Sequence, residues 1–285
     1  MTRQLVAVLG HGVVSAGQPI ATADDGGLVR GDGCFDAMRI LAVDGAAVVE
    51  NLDAHLVRFA ASARALDLEV DEPAWRDLIA LACAAWTPPA AEAVLKLVLT
   101  RGPESTPGKR TCFLTVTELD LDEMRRARAG ITVRTLNRGY GSEGFAEAPW
   151  LLGGAKLLSY AVNSAAKRAA ARQGDDDALF VSTDGYALEG PTAAVLMLRN
   201  GVLSTPPPGS SGILDSVTVR QIFAEARAVD LSCEYRPIPV EQLFSADGVW
   251  LASSIRGVCP IRRLDGRDLT TDEAWIARVA AWGGF

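Results

Sequence analysis

Histidine is almost missing from this chain of 285 residues: His11 and His55 are the only two. A Ser-His-Asp hydrolase and a multi-histidine metal centre are both poorly served by that supply. General acid–base work falls to lysine, carboxylate or tyrosine. There is no run of 18 apolar residues, so no segment reads as a membrane-spanning helix. An excess of basic charge is missing too. The net charge is −7, which argues against a nucleic-acid or anionic-membrane partner. Cysteine is sparse and scattered: Cys34, Cys83, Cys112, Cys233 and Cys259, with no C-x-x-C pair. Neither zinc nor a disulfide framework is expected from that spacing, and no metal is expected at all. The stretch Leu5 to Leu9 is too short for a signal-peptide core and lacks a small-residue cleavage site. A reducing cytoplasm is the expectation. What is present is globular: 49% hydrophobic and 22% charged residues, in a length that suits two ordinary domains or one large one.

Periodicity divides the chain. Leu5 to Leu9 reads as a short strand, and Gly31-Asp32-Gly33-Cys34-Phe35 leads into an apolar strand to Ile40. Asp44-Gly45 marks a hairpin before Ala46 to Val49. Leu52, Leu56, Phe59, Ala63 and Leu66 share one helical face, which Asn51 or Asp53 can cap. Glu72 to Trp86 is a second helix, and Ala93 to Thr100 and Thr111 to Thr117 are strands. Residues 1–118 thus form an N-terminal α/β domain, and the polar stretch 119–129 reads as a connector. Residues 130–285 form a second domain. It holds strand Ile131 to Leu136, an alanine-rich helix Ser159 to Arg172 stopped by Gly174, and strands Ala178 to Ser182, Tyr186 to Glu189 and Ala193 to Arg199. Helix Ser216 to Val229, with Ser216 as its cap, and strand Val249 to Ser253 follow.

Three pieces carry chemistry. The first is Lys156, in an apolar, glycine-rich run without a nearby acid. It is either a surface lysine at a helix start or a desolvated amine competent as a nucleophile. The second is Glu189, after Ala187 and Leu188. It is either a turn ligand or the partner of a cation. A lysine that links to a carbonyl needs a second group to control the electron sink. In a pyridoxal phosphate enzyme that group is an acid facing the pyridine nitrogen. Lys156 and Glu189 would meet that need if one pocket held both. The third piece is the turn Gly209-Ser210-Ser211-Gly212 running into the helix at Ser216. It offers backbone N–H groups and hydroxyls to a phosphate, although a bare helix cap has the same look. Arg58 lies on the flank of its helix, either solvated or available as a guanidinium for that phosphate.

In order and spacing these pieces resemble the class IV aminotransferases, the fold-type IV pyridoxal phosphate enzymes. The resemblance runs from about Gly31 to Gly266. It rests on Gly31-Asp32-Gly33-Cys34-Phe35, His55-Leu56-Val57-Arg58-Phe59, the Lys156 segment, Leu188-Glu189-Gly190 and Thr205-Pro206-Pro207 leading to Gly212-Ile213-Leu214. A sixth piece is Trp250-Leu251-Ala252-Ser253-Ser254-Ile255-Arg256-Gly257-Val258. The resemblance implies an α+β, two-domain fold: an N-terminal α/β sandwich and a C-terminal pseudo-barrel, with the cofactor between them and a homodimer as the assembly. It implies pyridoxal 5'-phosphate as cofactor and Lys156 as its covalent tether and proton shuttle. Glu189 would keep the pyridine nitrogen protonated. Arg58, the backbone at Val217 and Thr218, and the hydroxyls of Thr218 and Ser254 would hold the phosphate.

Within the family the sequence is most like the 4-amino-4-deoxychorismate lyases. Phe35 stands where D-amino-acid transaminases carry a substrate-clamping tyrosine, and no histidine follows Thr100-Arg101-Gly102. Leu-Leu-Ser-Tyr after Lys156 and Pro191 after Glu189-Gly190 depart from the branched-chain enzymes. The alternative to the lyase is a transaminase of either kind. A non-catalytic cofactor carrier is the remaining reading, and the intact Lys156, Glu189 and Arg58 set speaks against it. For the substrate carboxylates the candidates are Arg256, then Lys109 and Arg110, with Phe35 beside the substrate. Tyr160 is read as a helix-packing residue. Neither Cys34 nor Cys259 is placed relative to the cofactor by sequence.

Overall fold

The computed structural model describes residues 3–285; Met1 and Thr2, at the head of the opening stretch discussed above, lie outside the described residues. The chain divides into two compact units. The first comprises residues 1–121 and 155–160, the second residues 122–154 and 161–285.

The first unit contains β1 (Gln4–Val8), β2 (Gly12–Val14), α1 (Gly26–Val29), β3 (Gly33–Val43), β4 (Ala46–Val49), α2 (Leu52–Arg64), α3 (Glu72–Ala85), β5 (Glu92–Thr100) and β6 (Thr111–Glu118). The strands make one antiparallel sheet in the order β2-β1-β6-β5-β3-β4. Alternation along β3 sends Cys34, Asp36, Met38 and Ile40 to the buried side. On α2 the residues Leu56, Phe59 and Ala63 are buried, and on α3 Trp75, Leu78, Ile79 and Ala82. Burial at spacings of three and four is what a helix laid on a core produces. The hairpin turn falls at Asp44 and Gly45, both at positive φ. Asn51 occupies the position before α2, but in the left-handed region, and its side chain makes no capping bond.

The second unit opens with α4 (Leu121–Ala129), so the polar stretch expected to be a connector is a helix. Its polarity reflects exposure on most sides, with Met124 the buried residue. Then come β7 (Ile131–Asn137), a 3-10 turn at Pro149–Leu151, α5 (Ala161–Ala171), β8 (Asp177–Val181), β9 (Tyr186–Ala187), β10 (Ala194–Arg199) and β11 (Val202–Thr205). The rest is α6 (Val217–Ala228), β12 (Ser232–Tyr235), β13 (Ile238–Pro239), α7 (Val240–Leu243), β14 (Gly248–Ser253), β15 (Gly257–Leu264), β16 (Arg267–Asp268) and α8 (Glu273–Trp282). The ten strands form one mixed sheet, β12-β11-β10-β14-β15-β7-β8-β9-β13, with β16 on β15. One apolar cluster joins Val195, Met197, Val249, Leu251 and Ile261. Leu196, Leu198, Trp250 and Val258 alternate to the other side and pack with Ile222 and Phe223 of α6. No helix among the described residues is long and apolar enough to cross a membrane.

Candidate active site

The first unit holds Lys156 in place with the main chain of β3. The strand β4 pairs with β3 only from Ile40 onward. Beside the start of β3, residues Lys156 to Leu158 run antiparallel to it, with Cys34 opposite Leu157. Phe35 donates its N–H to the Lys156 carbonyl at 2.9 Å, and Leu158 donates to the Gly33 carbonyl at 2.9 Å. The approach is close. A Cβ on Gly33 would lie 2.7 Å from both Leu158 Cδ1 and the Leu99 carbonyl oxygen. Glycine is what lets this extra pairing form.

The pairing sets side chains as well. Lys156 Nζ lies 4.6 Å from the centre of the Phe35 ring and 5.6 Å from that of Tyr160. The two rings meet edge to face at 5.3 Å. Tyr160 precedes α5, which begins at Ala161, so it packs beside the lysine rather than in the helix. Lys96 of β5, opposite Ala37, brings a second ammonium to the same sheet face, 5.8 Å from the Phe35 ring. Sequence reading missed Lys96. Its signal was a lone charge inside the apolar run from Ala93 to Thr100.

Arg58 is not solvated. Its Nε donates to Asp36 Oδ2 at 2.9 Å and its Nη2 to Oδ1 at 2.8 Å, with 10% of its side chain exposed. His55 Nδ1 lies 2.8 Å from the same Oδ1. Burial pushes the Asp36 carboxyl up, but Arg58 and then His55 outweigh it and hold it well below the usual carboxylate range. Arg110 is elsewhere in the unit. Its Nη1 donates to the Glu69 carbonyl at 3.0 Å, and Nη2 lies 3.7 Å from the Glu69 carboxylate. Those partners tie it to the loop at Glu69, and Lys109 beside it is exposed.

The second unit holds the remaining candidates. Glu189 follows β9, its carbonyl accepting from Phe180 at 2.8 Å. Its carboxylate accepts from the Leu214 N–H at 3.2 Å, which ties it to the glycine-rich turn. Arg138 covers the Phe180 ring at 4.5 Å. Burial pushes the Tyr140 phenol up, Arg138 opposes that, and the Glu189 carboxylate adds to it. Arg138 and Tyr140 escaped sequence reading because they lie about 50 positions from Glu189.

Ser216 caps α6, accepting from the Val219 N–H at 3.3 Å. Thr218 Oγ1 and Ser254 Oγ share a hydrogen bond of 3.0 Å. Val217 and Thr218 are both buried. Two hydroxyls at the N-terminus of a twelve-residue helix form an anion-binding arrangement, with N–H groups and helix dipole alongside. Gly212 lies at φ +72°, and a Cβ there would sit 2.4 Å from the Phe145 ring. Only glycine lets Phe145 pack against this turn. Within this unit, a donor set of backbone N–H groups, hydroxyls and a carboxylate suits a phosphorylated pyridine.

Arg256 has a different employment from the one the sequence suggested. Its Nη1 lies 2.6 Å from Asp177 Oδ2, with Asp177 fully buried. Burial disfavours the Arg256 charge, yet Asp177 more than offsets that and the guanidinium pKa is raised. Arg128 donates to the Arg256 carbonyl at 3.1 Å. The residue therefore braces the turn that carries Ser254, while its buried Nη2 has no hydrogen-bond partner among the described residues.

The pattern for class IV amino-transferases matches residues 33–264. A Mycobacterium tuberculosis protein described as a bifunctional aminodeoxychorismate lyase / D-amino acid transaminase is 40% identical over 274 residues, 93% of each chain. A fold IV-transaminase from Curtobacterium pusillum superposes with a TM-score of 0.92 at 38% identity, covering 99% of both chains. A Mycobacterium tuberculosis protein described as a hypothetical aminotransferase, solved in its PLP-bound form, superposes with a TM-score of 0.90 at 38% identity, covering 98% of both chains. The chain belongs to the class IV aminotransferase family. It is an α+β, fold-type IV enzyme that depends on pyridoxal 5'-phosphate.

Proposed function

We propose that this enzyme is an aminodeoxychorismate lyase, converting 4-amino-4-deoxychorismate to 4-aminobenzoate and pyruvate. The observation that carries the reading is the 40% identity, over 93% of both chains, to a relative whose name begins with that activity. The absence of a histidine after Thr100-Arg101-Gly102 supports it against a D-amino-acid transaminase. Transamination of D-amino acids is the second reading, favoured by the other half of the same relative's name. Branched-chain amino acids are a weaker alternative.

Pyridoxal phosphate supplies an electron sink for a carbanion when bound. Lys156 would tether it until the substrate's 4-amino group takes that place, and the amine so freed would be the base. Its Nζ takes the proton from C4 of the substrate, the C3–oxygen bond breaks, and the six-membered ring becomes aromatic. The departing enolpyruvate gains one proton at its methylene carbon and leaves as pyruvate, so the proton account closes. Glu189 would keep the pyridine nitrogen protonated, which would make the ring a better acceptor. Arg58, already oriented by Asp36, holds the phosphate with the Val217 and Thr218 backbone and the Thr218 and Ser254 hydroxyls. Phe35 and Tyr160 limit the swing of the lysine and exclude water from it. Lys96, on the Phe35 face, offers an ammonium to a substrate carboxylate. The reading includes a cytoplasmic homodimer, in keeping with five free cysteines.

The test is one comparison. The purified enzyme is given aminodeoxychorismate with no keto acid, and separately D-alanine or L-leucine with 2-oxoglutarate. Release of 4-aminobenzoate and pyruvate without an acceptor is the expected result. Transfer of amino groups alone would overturn it.

A further inference from the structure

Lys156 is held at both of its main-chain groups by the first unit. Its carbonyl accepts from Phe35, as described, and its N–H donates to Ser62 Oγ at 3.0 Å. Ser62 is 2% exposed and lies on α2, one turn after Arg58. Its hydroxyl donates to the Arg58 carbonyl at 3.0 Å. A serine hydroxyl has one proton and two lone pairs. Bonding back to the carbonyl four residues earlier is ordinary for serine in a helix. The unusual half is the acceptor side, taken by a backbone N–H 94 positions away. One turn of α2 therefore carries two anchors: the guanidinium fixed by Asp36, and the hydroxyl that fixes the lysine's main chain.

We propose that Ser62 is a positioning residue for Lys156. This rests on the role given above to Lys156 as cofactor tether. The hydroxyl sets where the lysine's long side chain starts, so that Nζ presents itself to the cofactor carbonyl in one orientation. Ser62 touches no reacting atom; it acts through Lys156. Small displacements of a reacting group are expensive: about 1 Å can cost about 10²-fold in rate.

Two measurements test this. Hydrogen exchange on the cofactor-free wild-type protein should find the Lys156 amide protected. In Ser62→Ala that protection should be lost while the Phe35 and Leu158 amides keep theirs. Addition of pyridoxal phosphate should then turn the Ser62→Ala protein yellow roughly tenfold more slowly or worse, and Ser62→Thr, which keeps the hydroxyl, should recover most of the rate. A fast-exchanging Lys156 amide in the wild-type protein overturns the proposal even if Ser62→Ala does not fold. Equal rates of colour formation in wild type and Ser62→Ala overturn it as well. A wild-type protein that never turns yellow sinks the tether itself, and this role with it.

Discussion

Phe35 and Lys156 are joined twice. The Phe35 N–H bonds the lysine carbonyl at 2.9 Å, and the lysine Nζ rests 4.6 Å from the Phe35 ring. A residue that the sequence placed beside the substrate thus helps to hold the lysine proposed as the cofactor tether. The remaining candidates make separate commitments that can be measured one at a time.

Glu189→Gln keeps the size of the side chain and removes its charge. The Leu214 N–H still finds an oxygen to bond. Cofactor should bind, while kcat falls by roughly 10²–10⁴-fold, the usual worth of a positioned acid–base group. A near-normal kcat would show that protonation of the ring nitrogen is not required.

Thr218→Val removes one partner of the 3.0 Å hydroxyl pair with Ser254. The lost hydrogen bond costs about 1 kcal/mol, or roughly fivefold in cofactor affinity. Equilibrium dialysis against pyridoxal phosphate reads this directly. Unchanged affinity would remove Thr218 from the phosphate site.

Asp36→Asn removes the carboxylate charge that faces the Arg58 guanidinium, which is only 10% exposed. Loss of one partner of such a pair costs about 3–5 kcal/mol. Because the folded carboxyl is held below its ordinary value, its contribution is present above the unfolded value of about 3.9 and lost as pH falls through the folded one. Denaturation midpoints of wild type and Asp36→Asn should differ most near neutral pH and converge in acid. A gap that widens in acid would reverse the sign and refute the assignment.

Arg256→Ala should act on stability before catalysis. It strands a fully buried Asp177 carboxylate, at a cost of about 3–5 kcal/mol. The denaturation midpoint should drop, and Asp177→Asn should lower it too. A variant of wild-type stability with a raised KM would return Arg256 to the substrate role.

Much of this was legible in the sequence because the chemistry is local there. The Lys156 run, the turn before Glu189 and the Ser216 cap each declare themselves within a few residues. What stayed hidden depends on long-range meetings. Nothing near Lys156 announces that residues 155–160 rejoin the first unit, since Cys34 and Gly33 supply the edge they pair with. Ser62 reads as an ordinary helical serine until a backbone N–H arrives from 94 positions away. Arg256 reads as a spare cation until β8 brings Asp177 beneath it. The helix within the polar 119–129 stretch stayed hidden for another reason: an exposed helix with charges on most faces has almost no apolar stripe to show.

In the proposed mechanism Lys156 alone is covalently tethered to pyridoxal phosphate. Borohydride reduction of the cofactor-loaded enzyme, followed by peptide mass mapping, tests it. One pyridoxyl mass is expected on the peptide containing Lys156, and none in Lys156→Ala, which should be colourless and inactive. A label on another lysine, or a yellow and reducible Lys156→Ala protein, would contradict it.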